Sequence, residues 1–273
     1  MNVCWKIFLA LLIFSSCSND SKSNNAVVVT RHHLATDIGA EILKNGGNAI
    51  DSAVAVAFAL AVVNPSAGNL GGGGFMLYYD ADDEKTFALD YRERAPQNAT
   101  EKMFLNKEGD VIKGLSLNSY LASGVPGTVK GMFKAHNLFG SIPMENLIDP
   151  AIKIAKDGFT LSNFQATNFN KYKKKFLNGS DSESIFIKEG GFKEGDIFIQ
   201  ADLAKSLELI QSRGEKVFYE GKLADKIIED FAQNGGLISS EDLLNYKVYL
   251  KDPICGIYKE YDVCSMPLPS SGG

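Results

Sequence analysis

The chain has 273 residues with 28 basic and 33 acidic side chains, so its net charge at neutral pH is -5. Its 45% hydrophobic content suits a globular protein with a substantial core. No long basic block is present, so the composition gives no support to a nucleic-acid partner. The three histidines and four cysteines form no CxxC motif and no Cys/His cluster, and we therefore expect no metal site and no cofactor.

The N-terminus has the layout of an export signal followed by a tether. Lys6 precedes an apolar run from Ile7 to Phe14, which is too short to span a bilayer. The ending FSSC resembles a bacterial lipobox, although phenylalanine stands where leucine is usual, and the alternative is an ordinary signal with an incidental cysteine. We expect residues 1–16 to be a lipoprotein-type signal peptide, Cys17 to be the site of lipid attachment, and residues 17–25 to be a polar tether. The protein would then be exported to the periplasm and anchored by lipid to a membrane, the outer rather than the inner.

Three elements follow the tether. The run AVVVT predicts a strand at Ala26–Thr30, and a helix is expected over Ala35–Asn45. The two histidines between them are assigned to capping or surface roles. A second helix over Ala49–Val63 is apolar nearly all round, which is typical of a buried helix, with Asn48 as its cap and Pro65 as its stop.

Four consecutive glycines, Gly71 to Gly74, come next. They lie after a helix and before a predicted hairpin of two strands, Phe75–Tyr79 and Thr86–Tyr91. A phosphate-binding glycine loop follows a strand and opens a helix, where helix N–H groups can meet the phosphate, so this order excludes that function. We expect the glycines to supply positive φ angles and close backbone contact where the buried helix turns into a core strand.

The rest of the chain is mostly helical in pattern and ends in a hairpin over Pro253–Met266. One α+β domain accounts for the whole pattern from residue 26 onward. The expected helices are Thr100–Phe104, Pro126–Phe139, Met144–Lys156, Asn163–Phe176, Asp202–Arg213, Lys222–Asn234 and Ser240–Asn245.

The last hairpin contains two cysteines. The stretch CGIYKEYDVC folds most simply with Lys259 and Glu260 as a two-residue turn, which places Cys255 opposite Cys264. That pair falls at a non-hydrogen-bonded position, where a disulfide is possible, and export to an oxidising compartment permits one. Two buried thiols, or a turn of another length, are the alternatives.

Several segments match one family in order and spacing. They closely resemble the γ-glutamyltranspeptidases (glutathione hydrolases) from about Ala26 to Gly273, with Leu268 at a position where the family often has proline. The segments are ATDIGAEILKNGGNAIDSAVAVAFALAVVNP, GNLGGGGFMLYYD, ALDYRERAPQNAT, GLSLNSYLASGVPGTVKGM, PAIKIAKDGF and SMPLPSSGG. The resemblance implies an N-terminal-nucleophile hydrolase fold, an α-β-β-α sandwich, with only the large-subunit region present in residues 26–273.

The resemblance also implies an activity. Members are made as precursors that cut themselves before a threonine, whose hydroxyl then attacks a γ-glutamyl carbonyl while its own amino group serves as base. The γ-glutamyl group passes from glutathione or a related compound to water or an amino acid. The sequence ends at PSSGG, before the family's cleavage site, so we expect no catalytic residue in this fragment and no activity from it alone. The implied partners are a small-molecule substrate and the protein's own small subunit.

One substrate-binding residue can be carried over. In the family, the arginine of the Arg-Glu pair after the second hairpin strand holds the α-carboxylate of the γ-glutamyl group, and here that arginine is Arg92. A guanidinium stays charged and can grip a carboxylate with two parallel hydrogen bonds. Residue type alone leaves Arg92 and Arg94 equally eligible, with a surface salt bridge as the ordinary role for either, and the resemblance selects Arg92.

Two further functions compete with this interpretation. An acylase of the same fold, similar to the cephalosporin acylases, shares the glycine and PSSGG regions, and the small-subunit residues around the substrate would distinguish it. A non-catalytic truncated lipoprotein that keeps the fold for binding is the other, and a stop codon soon after Gly273 would favour it.

Overall fold

The computed structural model describes residues 26–178 and 185–271. The predicted signal peptide at 1–16, the tether at 17–25 and the lipid site Cys17 lie outside the described residues. Within the described ranges, no helix combines the length and the apolar character that crossing a membrane requires.

The predicted helices other than Thr100–Phe104 are present, with bounds met within two residues, and two short helices that the sequence does not predict, Leu115–Asn118 and Lys216–Tyr219, are added to them. A 3₁₀ turn over Tyr120–Ala122 accompanies the short third helix. The α-helices of the described ranges are α1 His33–Lys44, α2 Ala49–Val63, α3 Leu115–Asn118, α4 Thr128–Phe139, α5 Met144–Asp157, α6 Asn163–Asn178, α7 Ala201–Arg213, α8 Lys216–Tyr219, α9 Lys222–Gln233 and α10 Ser240–Asn245.

The strands of the described ranges form three small antiparallel sheets. The first has the order β1-β2-β5, and the others pair β3 with β4 and β6 with β7. In the first sheet Phe75 lies opposite Asp90, and Asp90 in turn lies opposite Tyr249. The strands are β1 Phe75–Asp80, β2 Lys85–Asp90, β3 Phe159–Thr160, β4 Ile197–Phe198, β5 Tyr249–Lys251, β6 Ile254–Tyr258 and β7 Tyr261–Ser265.

Helix α2 lies at the centre of the core, as its apolar sequence predicts, and packs against α1, α4 and α5. Asn48 caps it in a capping box with Asp51: the Asn48 side chain accepts from the Asp51 N–H, and the Asp51 carboxylate accepts from the Asn48 N–H. Asp51 is fully buried and also accepts hydrogen bonds from the backbone and hydroxyl of Ser141. Burial alone would raise the pKa of Asp51, but these hydrogen bonds outweigh it and lower that pKa.

Two predicted elements are wrong. Residues 26–30 form no strand, and Val27 and Val29 are 80% and 86% exposed, because no described strand lies beside this segment to complete a ladder. Thr100–Phe104 is a series of turns and not a helix. Its backbone hydrogen bonds span three residues, and Phe104 then accepts from the amide of Ile112. The predicted cap before α1 is confirmed, since Nδ1 of His32 accepts from the Leu34 amide.

The C-terminal hairpin has the predicted register. Tyr258 lies opposite Tyr261 across the turn, and Cys255 lies opposite Cys264. Lys259 takes a positive φ of 56° in the turn, as a two-residue hairpin connection requires. The two cysteine sulfur atoms are 2.08 Å apart, in a disulfide.

Candidate functional site

The end of β2 is organised around the buried carboxylate of Asp90. Asp90 is fully buried, and it accepts hydrogen bonds from Lys251 Nζ at 2.7 Å and from Arg94 Nη2 at 3.2 Å. Strand β5 brings Lys251 into place because it pairs with β2. Burial would raise the pKa of Asp90, but the hydrogen bonds from Lys251 and the Arg92 amide, with the charges of Lys251 and Arg94, lower it on balance. Asp90 is therefore an ionised anchor for two cations.

The structure gives Arg92 and Arg94, which residue type alone leaves equally eligible, different surroundings. Arg94 is committed to Asp90, its guanidinium lies 4.8 Å from the centre of the Tyr249 ring, and its backbone forms a bridge with Val125. The Arg92 side chain is 53% exposed, and its contact with the neighbouring Glu93 is only an Nε to Oε2 approach of 3.5 Å. Within the described residues, both terminal nitrogens of Arg92 are therefore available to a ligand.

Arg92 has a half-exposed side chain on a fixed peptide. Its N–H donates to Asp90 Oδ1 at 3.1 Å, and its carbonyl accepts from the hydroxyl of Tyr246 at 2.9 Å. Phe75, at the start of β1, lies 5.8 Å from the guanidinium across the ring face. The peptide of Arg92 is therefore fixed at the edge of the sheet, whereas its side chain is half exposed.

The prediction for the glycine segment before β1, Gly71 to Gly74, is confirmed only in part. None of Gly71 to Gly74 adopts a positive φ, so that part of the prediction is wrong. Close contact is confirmed at Gly73, where an added Cβ would lie 2.4 Å from the Tyr91 carbonyl oxygen and 2.7 Å from the Glu93 nitrogen. The requirement for glycine comes from the neighbouring 91–93 backbone, since the segment itself is not unusually twisted.

The same segment also fixes the start of α4. The carbonyl of Gly72 accepts from the amides of Gly127 and Thr128 at 2.6 and 3.0 Å. Asn69 accepts from the Gly72 amide at 2.9 Å and from the Thr128 hydroxyl at 2.7 Å. Helix α4 therefore begins in contact with the glycine segment. The chain between α2 and β1 is held by hydrogen bonds to the start of α4 and by close contact with the backbone of residues 91–93.

Sequence reasoning missed Asp90, Lys251 and Tyr246. The signal for Asp90 was available, since an acidic residue ends an apolar strand two residues before the predicted anchor. Lys251 and Tyr246 reach the site from 161 and 154 residues away in sequence, and no local pattern indicates either contact.

Arg92 lies outside the cavity of about 670 Å³ beside α6, which Arg31, His32, Phe164 and Tyr172 help to line. Within the described ranges, no group of three or more histidine, cysteine, aspartate or glutamate side chains is placed to hold a metal ion.

Comparison with known proteins decides the family. The sequence profile described as Gamma-glutamyltranspeptidase matches residues 35–273. The chain belongs to the γ-glutamyltranspeptidase family. It is 47% identical over 254 residues to the glutathione hydrolase proenzyme of Escherichia coli K12, covering 92% of this chain and 44% of that protein. The proenzyme of Bacillus subtilis strain 168 is 43% identical over 251 residues, with 91% of this chain and 43% of that protein covered. The chain thus spans a little under half the length of these relatives.

Solved structures give the fold. The γ-glutamyltranspeptidase of Helicobacter pylori superposes with a TM-score of 0.88 at 47% identity, covering 90% of this chain and 71% of that chain. A cephalosporin acylase from Bacillus halodurans superposes with a TM-score of 0.75 at 28% identity, covering 86% of this chain and 44% of that chain. The predicted fold is confirmed: the chain is α+β and forms part of an N-terminal-nucleophile hydrolase fold.

Proposed function

We propose that the full-length protein is a γ-glutamyl hydrolase and transferase that acts on glutathione and related γ-glutamyl compounds. The observation that carries the proposal is Arg92, an exposed guanidinium on a peptide fixed at both its N–H and its carbonyl. Its neighbour Arg94 is already paired with Asp90. Relatives across 92% of this chain are named glutathione hydrolase proenzymes, which supports the same chemistry.

Arg92 suits the α-carboxylate of a γ-glutamyl group for physical reasons. The guanidinium presents two parallel N–H donors to the two carboxylate oxygens, and it remains charged at any physiological pH. Anchoring the substrate at its α-carbon end fixes where the γ-carbonyl lies, and this placement is what makes attack on it effectively intramolecular.

The nucleophile in this proposal is a threonine in the part of the family precursor that these 273 residues do not cover. Self-cleavage frees its α-amino group, which takes the hydroxyl proton as the oxygen attacks the γ-carbonyl. A γ-glutamyl ester forms and the amine leaves, and water or an amino acid then releases the γ-glutamyl group. The cleaved small subunit is accordingly proposed as the partner of this region.

Replacing Arg92 tests the proposal. In the full-length protein, Arg92→Ala should lower kcat/KM for a chromogenic γ-glutamyl anilide by about tenfold to a hundredfold, because charge-assisted hydrogen bonds to the substrate are lost. Arg92→Lys should be intermediate, since it keeps the charge but loses the two-point grip. Self-cleavage should persist in both variants, because the precursor carries no substrate carboxylate at this position. A wild-type kcat/KM in Arg92→Ala would show that Arg92 does not bind the substrate carboxylate.

An acylase of the same fold is the second candidate, supported by the cephalosporin acylase superposition. A glutaryl amide, which has no α-amino group, distinguishes the two candidates. A full-length protein that hydrolyses glutaryl amides faster than γ-glutamyl amides would favour the acylase, and the reverse preference favours the γ-glutamyl enzyme.

We also propose that the protein is exported and anchored to a membrane, the outer rather than the inner, through lipid on Cys17. The support is the short apolar run followed by FSSC in the sequence. A single terminus carrying several acyl chains is enough for stable anchoring. Mass spectrometry of the membrane fraction should find an acylated N-terminus at Cys17, and an unmodified terminus at another residue would contradict the proposal.

A further inference from the structure

We propose that Tyr246 is a positioning residue for substrate binding. Its hydroxyl holds the carbonyl of Arg92, and this contact fixes the backbone position from which the Arg92 side chain extends. The inference rests on the proposed function, since it gives Arg92 the anchoring role. Tyr246 itself is buried and touches no substrate in this proposal.

The contact geometry places Tyr246 at one end of a two-ended clamp. The Tyr246 hydroxyl donates to the Arg92 carbonyl at 2.9 Å, while Asp90 accepts from the Arg92 N–H at 3.1 Å. Both groups are buried: Asp90 is fully buried and Tyr246 is 4% exposed. The side chain of Arg92 is the opposite, with about half of its surface in solvent. Because few contacts hold the guanidinium itself, its placement depends on the peptide that carries it.

Two glycines make room for this clamp. An added Cβ at Gly127 would lie 2.0 Å from the Tyr246 hydroxyl oxygen and 2.1 Å from the Tyr91 carbonyl oxygen. On another side, a Cβ at Gly73 would lie 3.0 Å from the Arg92 carbonyl carbon. Any larger residue at Gly127 would displace the hydroxyl from Arg92, since the contact with Tyr246 is far inside van der Waals range. The turn before α4 and the segment before β1 are thus shaped around the Arg92 peptide.

Tyr246 is itself held in place, which lets it serve as a fixed reference. Its carbonyl accepts from Lys130 Nζ at 2.9 Å, and its ring stacks on Tyr219 with centroids 5.9 Å apart and an interplanar angle of 15°. Burial raises the pKa of Tyr246, so its hydroxyl keeps the proton that it donates to Arg92. A displaced guanidinium would meet the substrate carboxylate at a poorer distance and angle, and this weakens binding because hydrogen bonds lose strength steeply with geometry.

The test is Tyr246→Phe in the full-length protein, which removes the hydroxyl and keeps the buried ring. The KM for a chromogenic γ-glutamyl anilide should rise about threefold to tenfold, the range expected for one lost hydrogen bond, with kcat within about twofold of wild type. Tyr78→Phe is the matched control. It removes a partly buried tyrosine hydroxyl of the same sheet, which donates to Asp80 Oδ2 at 3.4 Å and makes no contact with Arg92 or Tyr246, and it should leave KM unchanged.

A double variant shows whether Tyr246 acts through Arg92. If it does, adding Tyr246→Phe to Arg92→Ala should raise KM no further, whereas a general packing defect would raise it by the same factor in both backgrounds. If Tyr246→Phe cleaves itself poorly, KM is measured on the cleaved fraction, because KM does not depend on how much enzyme is active.

Three results would overturn the inference. A wild-type KM in Tyr246→Phe, alongside a raised KM in Arg92→Ala, would remove the positioning role and leave the anchor intact. An equal KM increase from Tyr246→Phe in both backgrounds would show an effect that bypasses Arg92. A wild-type KM in Arg92→Ala would overturn the anchor and the positioning role together.

Discussion

The sheet edge at the end of β2 and the β6–β7 hairpin are held in contrasting ways. At the sheet edge, the buried carboxylate of Asp90 binds two partly exposed cations, Arg94 nearby in sequence and Lys251 on another strand. The hairpin forms from residues adjacent in sequence, pairs with no other described strand, and exposes residues such as Ile257, which is 79% accessible. A covalent bond between Cys255 and Cys264 closes it.

The contrast shows which kind of contact each region can use. A buried carboxylate is costly unless it is paired, so Asp90 depends on partners that only the folded chain brings to it. A two-stranded hairpin in water is marginal by itself, and a cross-strand disulfide limits its unfolded states without needing a core. We expect changes at the sheet edge to affect the whole fold, and changes in the hairpin to stay local.

The largest effect should come from Asp90→Ala. It leaves Lys251, Arg94 and the Arg92 amide without their acceptor. The free energy of unfolding should fall by about 2–4 kcal/mol, which is somewhat below the cost of breaking a fully buried pair because both cations are partly exposed. Denaturant unfolding of the full-length protein measures this, with Asp83→Asn in the exposed turn of the same sheet as the control. A loss no larger than the control's would show that the cluster is not a structural anchor.

Removing the disulfide should have a smaller effect on the whole protein. A double serine variant of Cys255 and Cys264 should destabilise the hairpin by about 2–3 kcal/mol, on chain-entropy grounds for a loop of this size. Hydrogen exchange should rise across residues 254–265 and remain unchanged at the β1–β2 pair. In the unreduced, unfolded wild type we expect neither cysteine to react with an alkylating agent, and two reactive thiols would contradict the disulfide.

The smallest effect should come from Arg94→Ala, the matched partner of the Arg92 variant. Loss of its bond to Asp90 should reduce stability by about 1 kcal/mol, because a partly exposed ion pair contributes little beyond one charged hydrogen bond. Its kcat/KM for a γ-glutamyl anilide should stay within about threefold of wild type. If Arg94→Ala instead loses the activity that we assign to Arg92, the two roles are exchanged and the assignment of the anchor is wrong.

Local patterns predicted much of the secondary structure. The capped apolar helix α2 has the predicted bounds, the β1–β2 hairpin lies where it is predicted, and the register of β6 with β7 follows from the predicted two-residue turn. The predictions that failed depend on neighbouring groups that the local sequence does not show. AVVVT has the composition of a strand, but a strand requires a neighbour, and no described strand accompanies it. For the glycine segment the predicted close contact is confirmed at Gly73, but none of the four glycines takes the predicted positive φ.

The sequence by itself determined the order of most helices and the register that places Cys255 opposite Cys264, while the choice of Arg92 stays a prediction from family resemblance. Each depends on residues close together along the chain or on a motif that can be read in one pass. Only the tertiary structure decided that Arg94 belongs to Asp90, that Lys251 completes that cluster, and that Tyr246 holds the Arg92 peptide. The physical reason is that buried polar groups must find partners wherever the packed chain brings them, and Lys251 and Tyr246 lie more than 150 residues in sequence from the groups that they contact.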